Sequence, residues 1–213
     1  MVMKQKRSKP IDPSERPPRP VRLKTPLTHE VRIIGGEWKR TKLAVADKPG
    51  LRPTPDRVRE TLFNWLGQDL EGLRCLNLFA GSGALGFEAA SRRASRVVQV
   101  EYGTEPCIAL KQNCALLDAS AVEVVQMDAL RFLNGPAEAF DLVFLDPPFR
   151  LGLIGSCCDL LESKGWLAPY ARIYIEAEKD AVLDNLPLTW HIHRSKQAGG
   201  VGYHLCQRHP PPV

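Results

Sequence analysis

Short apolar runs alternate with helical segments from residue 73 onward, and this alternation limits the chain to few folds. A strand, a helix and a second strand in succession give parallel strands, because the helix returns the chain to the starting edge of the sheet. The sequence therefore predicts an α/β domain with helices on both faces of its sheet. The first four strand candidates are 73–79, 97–101, 122–126 and 140–145, and the helix candidates are 84–92, 105–117 and 153–163.

The carboxyl-terminal part of the sheet is expected to close in a different way. A fifth strand is predicted at 171–176, and two further β-prone runs, 188–194 and 201–207, flank Gly199-Gly200. Two such runs joined through glycines are typical of an antiparallel pair. The sequence thus predicts a seven-stranded, mostly parallel sheet.

A smaller element precedes this sheet. Two β-prone runs, 31–38 and 42–45, predict a basic hairpin, and Asp56 is expected to cap a helix. The helix would carry its apolar residues on one face, because they recur at every fourth position. These residues are Val58, Leu62 and Leu66.

The positive charge of the chain is concentrated near its amino terminus. Residues 1–60 contain 16 Lys and Arg against 7 Asp and Glu, whereas the remainder contains 13 against 17. Residues 1–30 are rich in proline and basic residues without apolar periodicity, which predicts a flexible extension. Charge alone leaves open whether this extension binds a polyanion or only aids solubility. The predicted parts are a 1–30 extension, a 31–68 hairpin and helix, a 69–208 sheet domain and a 209–213 tail.

Other features place the chain in the cytoplasm. No run of 18 apolar residues is present, so no membrane-spanning helix is predicted, and the charged amino terminus does not resemble a secretory signal. The six cysteines form no C-x-x-C pair and have no histidine at ligand spacing. We therefore predict free thiols and no metal site.

A glycine-rich loop follows the first strand of the sheet. Gly81, Gly83 and Gly86 fit the pattern G-x-G-x-x-G, which lets backbone N–H groups approach an anionic or zwitterionic ligand. Glu101 ends the second strand about 20 residues later, where a carboxylate can accept hydrogen bonds from ribose hydroxyls. The sequence thus predicts a nucleoside-containing cofactor, and this pattern fits both a nicotinamide dinucleotide and S-adenosylmethionine.

Acidic residues also follow the third and fourth strands. Asp128 can accept a hydrogen bond from the amino group of an adenine. The turn Asp146-Pro147-Pro148-Phe149 is stiffened by two prolines that lack N–H donors. The Asp146 carboxylate and the Pro147 carbonyl then remain as acceptors beside an aromatic ring. This arrangement suits a planar substrate whose exocyclic amine attacks an electrophile, and a hydride-transfer enzyme has no use for it.

The same turn, combined with the sequence FAGSG at 79–83, resembles the class I S-adenosylmethionine-dependent amino-methyltransferases. Two segments, RIIGGEW at 32–38 and RPTPDRVRETLFNWL at 52–66, narrow the resemblance to the RsmD family of bacterial 16S ribosomal RNA guanine-N2 methyltransferases. The similarity covers about residues 31–208. It implies a Rossmann-like class I methyltransferase fold, S-adenosylmethionine as cofactor, and a guanine of the 966 type in 16S rRNA as substrate.

Individual positions follow from the resemblance. The substrate guanine would be held by the catalytic residues Asp146, Pro147 and Phe149, and the segment 52–60 would close over the cofactor and face RNA. We also expect basic hairpin residues to contact RNA phosphates. The residues expected to bind cofactor are Phe79, Ala80, Gly81, Ser82, Gly83, Glu101, Asp128, Ala129 and Asp146, and those expected to bind RNA are Phe149, Arg52, Arg57, Arg59, Lys39, Arg40 and Lys42.

The expected partner is 16S rRNA, within the 30S subunit or an assembly intermediate, and the expected form is a monomer without metal or membrane. Three other functions fit parts of the sequence. The chain could methylate adenine N6 or a protein glutamine, since enzymes of those classes share a Pro-Pro-aromatic turn. It could also be a non-catalytic RNA-binding assembly factor, or a nicotinamide-dependent dehydrogenase.

Overall fold

The structure is a computed structural model that describes residues 29–47, 53–181, 183 and 186–209. Most of the expected extension (1–28), most of the expected tail (210–213) and Arg52 lie outside the described residues. Among the described residues, no helix is long and apolar enough to span a membrane.

Seven strands form one mixed sheet, and two short strands form a separate antiparallel hairpin. The sheet prediction is therefore confirmed, and the predicted bounds 122–126 and 140–145 agree with the structure. The hairpin strands are β1 (His29–Arg32) and β2 (Lys42–Val45); the sheet strands are β3 (Arg74–Asn77), β4 (Arg96–Glu101), β5 (Val122–Gln126), β6 (Phe140–Leu145), β7 (Leu167–Glu178), β8 (Trp190–Ala198) and β9 (Val201–Arg208).

The order of strands across the sheet is β5-β4-β3-β6-β7-β9-β8. Strands β3 to β7 pair in parallel, and β9 pairs antiparallel with both β7 and β8. The chain moves outward in one direction after β3 and in the other direction from β6. This reversal opens a crevice at the carboxyl ends of the strands, where α/β sheets bind their ligands.

Helices cover both faces of the sheet. Side chains alternate along β6, so that Leu142 and Phe144 face one helical layer while Val143 and Leu145 face the other. The first layer contains α1 and α2, and the second contains α4 and α5. The helices are α1 (Asp56–Leu66), α2 (Ala84–Ser91), α3 (Thr104–Leu117), α4 (Ala129–Leu133) and α5 (Leu153–Ser163).

Two local predictions need correction. Asp56 does not cap α1: Pro55 occupies the N-cap position, and Asp56 lies inside the first turn, where its carboxylate accepts a hydrogen bond from Arg59. The sequence also missed α4, because five residues are too few to show helical periodicity.

The Gly35-Gly36 pair docks the hairpin against the end of α2. Gly36 has a φ of +73°, and a Cβ atom added there would lie 1.9 Å from the Ser91 carbonyl oxygen. The Ser91 side chain donates to the Gly35 carbonyl and accepts from the Trp38 N–H. Only glycine allows this close backbone approach.

We therefore expect Gly36→Ala to lower the free energy of unfolding by at least about 2 kcal/mol, because it adds overpacking to an unfavourable positive φ. Gly199→Ala is the matched control, since Gly199 also has a positive φ, of +61°, but a Cβ atom there would meet nothing within 4 Å. Urea unfolding of both variants measures the difference. Equal losses would contradict the close-approach explanation.

Candidate cofactor and substrate site

A cavity of about 780 Å³ opens at the carboxyl ends of β3, β4, β5 and β6. Its wall combines backbone of the glycine loop, acidic side chains and apolar surface, as expected of a site for a nucleoside-sized ligand. The lining residues are Thr54, Asn77, Leu78, Phe79, Ala80, Gly81, Ser82, Ala84, Leu85, Glu101, Tyr102, Met127, Asp128, Ala129, Asp146, Pro147, Pro148, Phe149, Leu151 and Leu153.

The glycine loop turns tightly from β3 into α2. Gly81 and Gly83 both have positive φ, of +52° and +77°, and Gly83 is the N-cap residue of α2. A Cβ atom at Gly83 would lie 2.4 Å from Leu110. Gly83 itself is not among the residues that line the cavity, so its role here is to form the turn that presents Gly81 and Ser82 to a ligand.

Gly86, the third glycine of the pattern, serves packing. A Cβ atom there would lie 2.6 Å from Oε1 of Gln99 on β4. The absence of a side chain lets α2 lie directly against the sheet, which positions the amino end of the helix above the cavity.

Glu101 is held in a fixed orientation at the end of β4. Its Oε2 accepts a hydrogen bond from the Gly81 N–H at 3.0 Å, and its Oε1 accepts one from the Gly103 N–H at 2.7 Å. Each carboxylate oxygen can accept a second bond. Glu101 is thus placed, with free acceptor capacity, in the wall of the cavity.

Asp128 has a structural role as well as a position in the cavity. Its Oδ1 accepts a hydrogen bond from the Arg131 N–H at 2.9 Å and so caps α4. The neighbouring Ala129 is buried, and Met127 adds an apolar wall. The second oxygen of Asp128 remains available for a ligand on the cavity side.

Asp146 lies beside a second acidic residue that the sequence analysis did not identify. In the parallel pairing of β6 with β7, Leu145 lies opposite Ile175, so Asp146 and Glu176 are the next residues on adjacent strands. Glu176 is buried, and the Tyr174 hydroxyl donates to its Oε1 at 2.8 Å. The Thr54 hydroxyl neighbours both carboxyl groups and acts to lower the pKa of each.

This environment favours a proton on the acidic pair. Burial, and then the negative charge of Glu176, raise the pKa of Asp146 well above its ordinary value. Burial likewise raises the pKa of Glu176, against the opposing hydrogen bonds of Tyr174 and Thr54. Although Asp146 as a residue is half-buried at the cavity wall, its carboxyl group is surrounded by protein, which accounts for the direction of the shift.

The raised pKa values predict how stability depends on pH. The folded state holds the proton more tightly than the unfolded chain, so the pair stabilises the fold most at acidic pH, and this contribution is lost as pH rises above the ordinary carboxyl range. As pH rises from 5 to 8, we expect the free energy of unfolding of Glu176→Gln to increase relative to that of the unaltered chain. Urea unfolding across this interval measures the free energy of unfolding of both proteins. The exposed control Glu60→Gln should keep the pH dependence of the unaltered chain. If Glu176→Gln keeps that pH dependence as well, the prediction is wrong.

The turn after β6 presents an aromatic ring at the mouth of the cavity. Pro147 is buried, whereas Phe149 is 41% exposed and Leu151 is 63% exposed. Apolar side chains exposed beside a cavity are typical of a binding surface. Phe149 is therefore positioned to contact a planar group that enters beside Asp146.

Known proteins similar to this chain agree with the fold. A model of the family described as conserved hypothetical protein 95 matches residues 31–207. Ribosomal RNA small subunit methyltransferase D of Escherichia coli is 49% identical over 179 residues, which are 84% of this chain and 90% of that protein. The chain belongs to the RsmD family.

Two further relatives also match this chain over most of its length. Ribosomal RNA small subunit methyltransferase D of Haemophilus influenzae is 46% identical over 84% of this chain and 94% of its own length. The solved structure of Escherichia coli yhhF, provisionally described as a methyltransferase, is 46% identical and superposes with a TM-score of 0.79 over 86% of this chain and 100% of that one. The Rossmann-like methyltransferase fold predicted from the resemblance is confirmed.

Arg59 was expected to face RNA, but the structure places its side chain in the interior. Its side chain is 0% exposed, and its guanidinium donates to Glu88, to Asp56 and to the carbonyls of Thr54 and Arg32. These bonds use four of its five N–H donors, and its burial keeps it from reaching an RNA phosphate. The expectation is wrong because Arg59 falls on the inner face of α1, next to an acid from α2.

The other basic residues expected at the RNA remain at the surface. Arg57, Lys39 and Arg40 are exposed, and Lys42 is exposed but paired with Glu30 at 2.7 Å. Their contact with RNA stays a prediction. Within the segment 53–60, Thr54 is the residue that lines the cavity.

Proposed function

We propose that the chain transfers the methyl group of S-adenosylmethionine to the exocyclic N2 of a specific guanine in 16S ribosomal RNA. The observation that carries this proposal is that one cavity brings the Asp146-Pro147-Pro148-Phe149 turn next to the glycine loop, Glu101 and Asp128. A cofactor site and an acceptor site for an amine thus share one space. The names of the relatives, which specify methylation of small-subunit ribosomal RNA, support the same substrate.

The residues present fit S-adenosylmethionine. The turn at Gly81 and Ser82 leaves room for the methionine part of the cofactor, the free acceptor capacity of Glu101 suits ribose hydroxyls, and the second oxygen of Asp128 suits the adenine amine. When bound, this cofactor supplies a methyl group already activated by a sulfonium. The chain's own task is therefore to orient the attacking amine.

Asp146 and Pro147 carry out that orientation. Guanine N2 is a weak nucleophile, because its lone pair is delocalised into the ring. Hydrogen bonds from the amine to the Asp146 carboxylate and the Pro147 carbonyl hold its lone pair toward the methyl group and stabilise the positive charge that develops on nitrogen. Phe149 stacks on the base, which is extruded from an RNA loop.

Asp146 also accepts the proton that N2 must lose. In its ionised form this carboxylate is a stronger proton acceptor than an exposed aspartate, because its pKa is raised. Glu176 and Thr54 surround the group that takes up the proton, so the product proton enters a buried hydrogen-bonded set.

The test is methylation of defined RNA. The full chain is incubated with radiolabelled S-adenosylmethionine and with either 16S rRNA or 30S particles that lack the mark, and the nucleosides are then separated after digestion. We expect label in N2-methylguanosine at one position. Label in N6-methyladenosine, or in protein glutamine, would replace the proposed substrate, and the absence of any label would contradict the activity.

A further inference from the structure

A second, smaller cavity of about 410 Å³ adjoins the turn that follows Asp146. It shares Pro147, Pro148, Phe149 and Leu153 with the larger cavity, so the two spaces meet at this turn. The cavity wall combines polar and apolar surface from the loop after β6, from α5 and from the segment after β7, and it includes the basic residue Arg150. Its one acidic lining residue, among those described, is Glu178.

Glu178 is tied to the turn that carries the proposed catalytic residues. It is the last residue of β7, and its Oε1 accepts a hydrogen bond from the Arg150 backbone N–H at 2.6 Å. Tyr174, Glu176 and Glu178 lie at alternate positions and so face the same side of β7. This face thus places Glu176 beside Asp146 and Glu178 beside the residues just past Phe149.

The Glu178 carboxylate retains an unused acceptor oxygen. The residue is half-buried, and within the described ranges no Lys, Arg or His nitrogen lies within 4.0 Å of its Oε2. One hydrogen bond holds this partly buried carboxylate in place, and its other oxygen is free. The free oxygen can accept a hydrogen bond from a donor that enters the cavity.

We propose that Glu178 selects guanine by accepting a hydrogen bond from its N1–H, while the adjacent N2 faces Asp146 and the Pro147 carbonyl. This inference rests on the proposed function and specifies how the same site recognises its base. Guanine carries two neighbouring donors, N1–H and N2–H, on its Watson–Crick edge. Adenine presents an N1 lone pair at the matching position, which a carboxylate repels.

The experiment uses two RNA hairpins that differ only at the target base. One carries guanine, and the other carries 2-aminopurine, which keeps the amine at position 2 but has an N1 lone pair instead of N1–H. We expect the unaltered full chain to prefer the guanine RNA by about 10- to 100-fold in kcat/KM. The Glu178→Gln variant can donate from its amide to the N1 lone pair, so we expect its preference to fall below about threefold or to reverse.

Glu71→Gln is the matched control, since Glu71 is exposed and lines neither cavity, and it should keep the full preference. An unchanged preference in Glu178→Gln, with both substrates slowed equally, would overturn the inference and leave Glu178 as a residue that only holds the turn. S-adenosylmethionine affinity, measured by calorimetry, verifies that each variant is folded. The unaltered chain is assayed first on the guanine RNA. If it places no label on guanine N2, the proposed function itself is overturned, independently of any variant.

Discussion

Replacing Asp146 with alanine is expected to lower kcat for methyl transfer by about 100- to 1,000-fold, since it removes both an acceptor for the amine and the group that takes its proton. The affinity for S-adenosylmethionine should change by less than about tenfold, because Gly81, Glu101 and Asp128, which line the same cavity, are the other residues proposed to hold it. Single-turnover methylation and isothermal calorimetry measure the two quantities.

Asp146→Asn separates the two functions of the carboxylate. The amide oxygen still accepts a hydrogen bond, but it takes up no proton near neutral pH, so we expect an activity between those of the alanine variant and the unaltered chain. Asp159→Asn, at an exposed position on α5, is the matched control. An alanine variant that keeps more than a tenth of the activity would show that Asp146 is not catalytic.

The second large effect concerns Glu88, which joins the amino-terminal segment to the sheet domain. This buried residue on α2 accepts from Arg59 on α1 at 2.7 Å, from Arg92 at the carboxyl end of α2 and from the Ile34 N–H after β1 at 2.6 Å. We expect Glu88→Gln to lower the free energy of unfolding by about 3–5 kcal/mol, because two buried guanidinium groups lose their shared anion. Urea unfolding measures this loss.

Glu123→Gln is the comparison for Glu88, because it breaks an exposed ion pair with Arg96 and should cost less than about 1 kcal/mol. A second comparison tests the cause. Changing Arg59 and Arg92 to Met as well as Glu88 to Leu removes all three buried charges, and this triple variant should be more stable than Glu88→Gln. Equal losses in Glu88→Gln and Glu123→Gln would contradict the role of the buried network.

Several parts of the fold and site could be predicted because their signals are local. The strands 122–126 and 140–145 are short apolar runs with clear ends, and the structure has the same bounds. The glycine loop and the Asp146 turn are each a few consecutive residues whose geometry is set by glycine and proline. Residues 79–82 and 146–149, from these two segments, line one cavity.

Other residues could not be predicted, because their roles depend on neighbours distant in the sequence. Glu176 and Glu178 lie in a strand whose alternation marks them only as residues of one face. The register of β6 against β7 places Glu176 beside Asp146, and Glu178 meets the Arg150 N–H past the turn. Thr54 gave no signal apart from its place in a family segment. The opposite error occurred at Arg59, which is basic in a basic segment but meets Glu88, 29 positions later.

The sequence by itself determined the class of fold, the glycine loop and the turn with its two acceptors, because periodicity and backbone restrictions act over a few adjacent residues. Only the tertiary structure decided which charges are buried, which acids share the neighbourhood of Asp146, and which cavity adjoins it. The physical reason is that burial and strand register set the energy of a charged side chain, and both are fixed only when distant segments pack together.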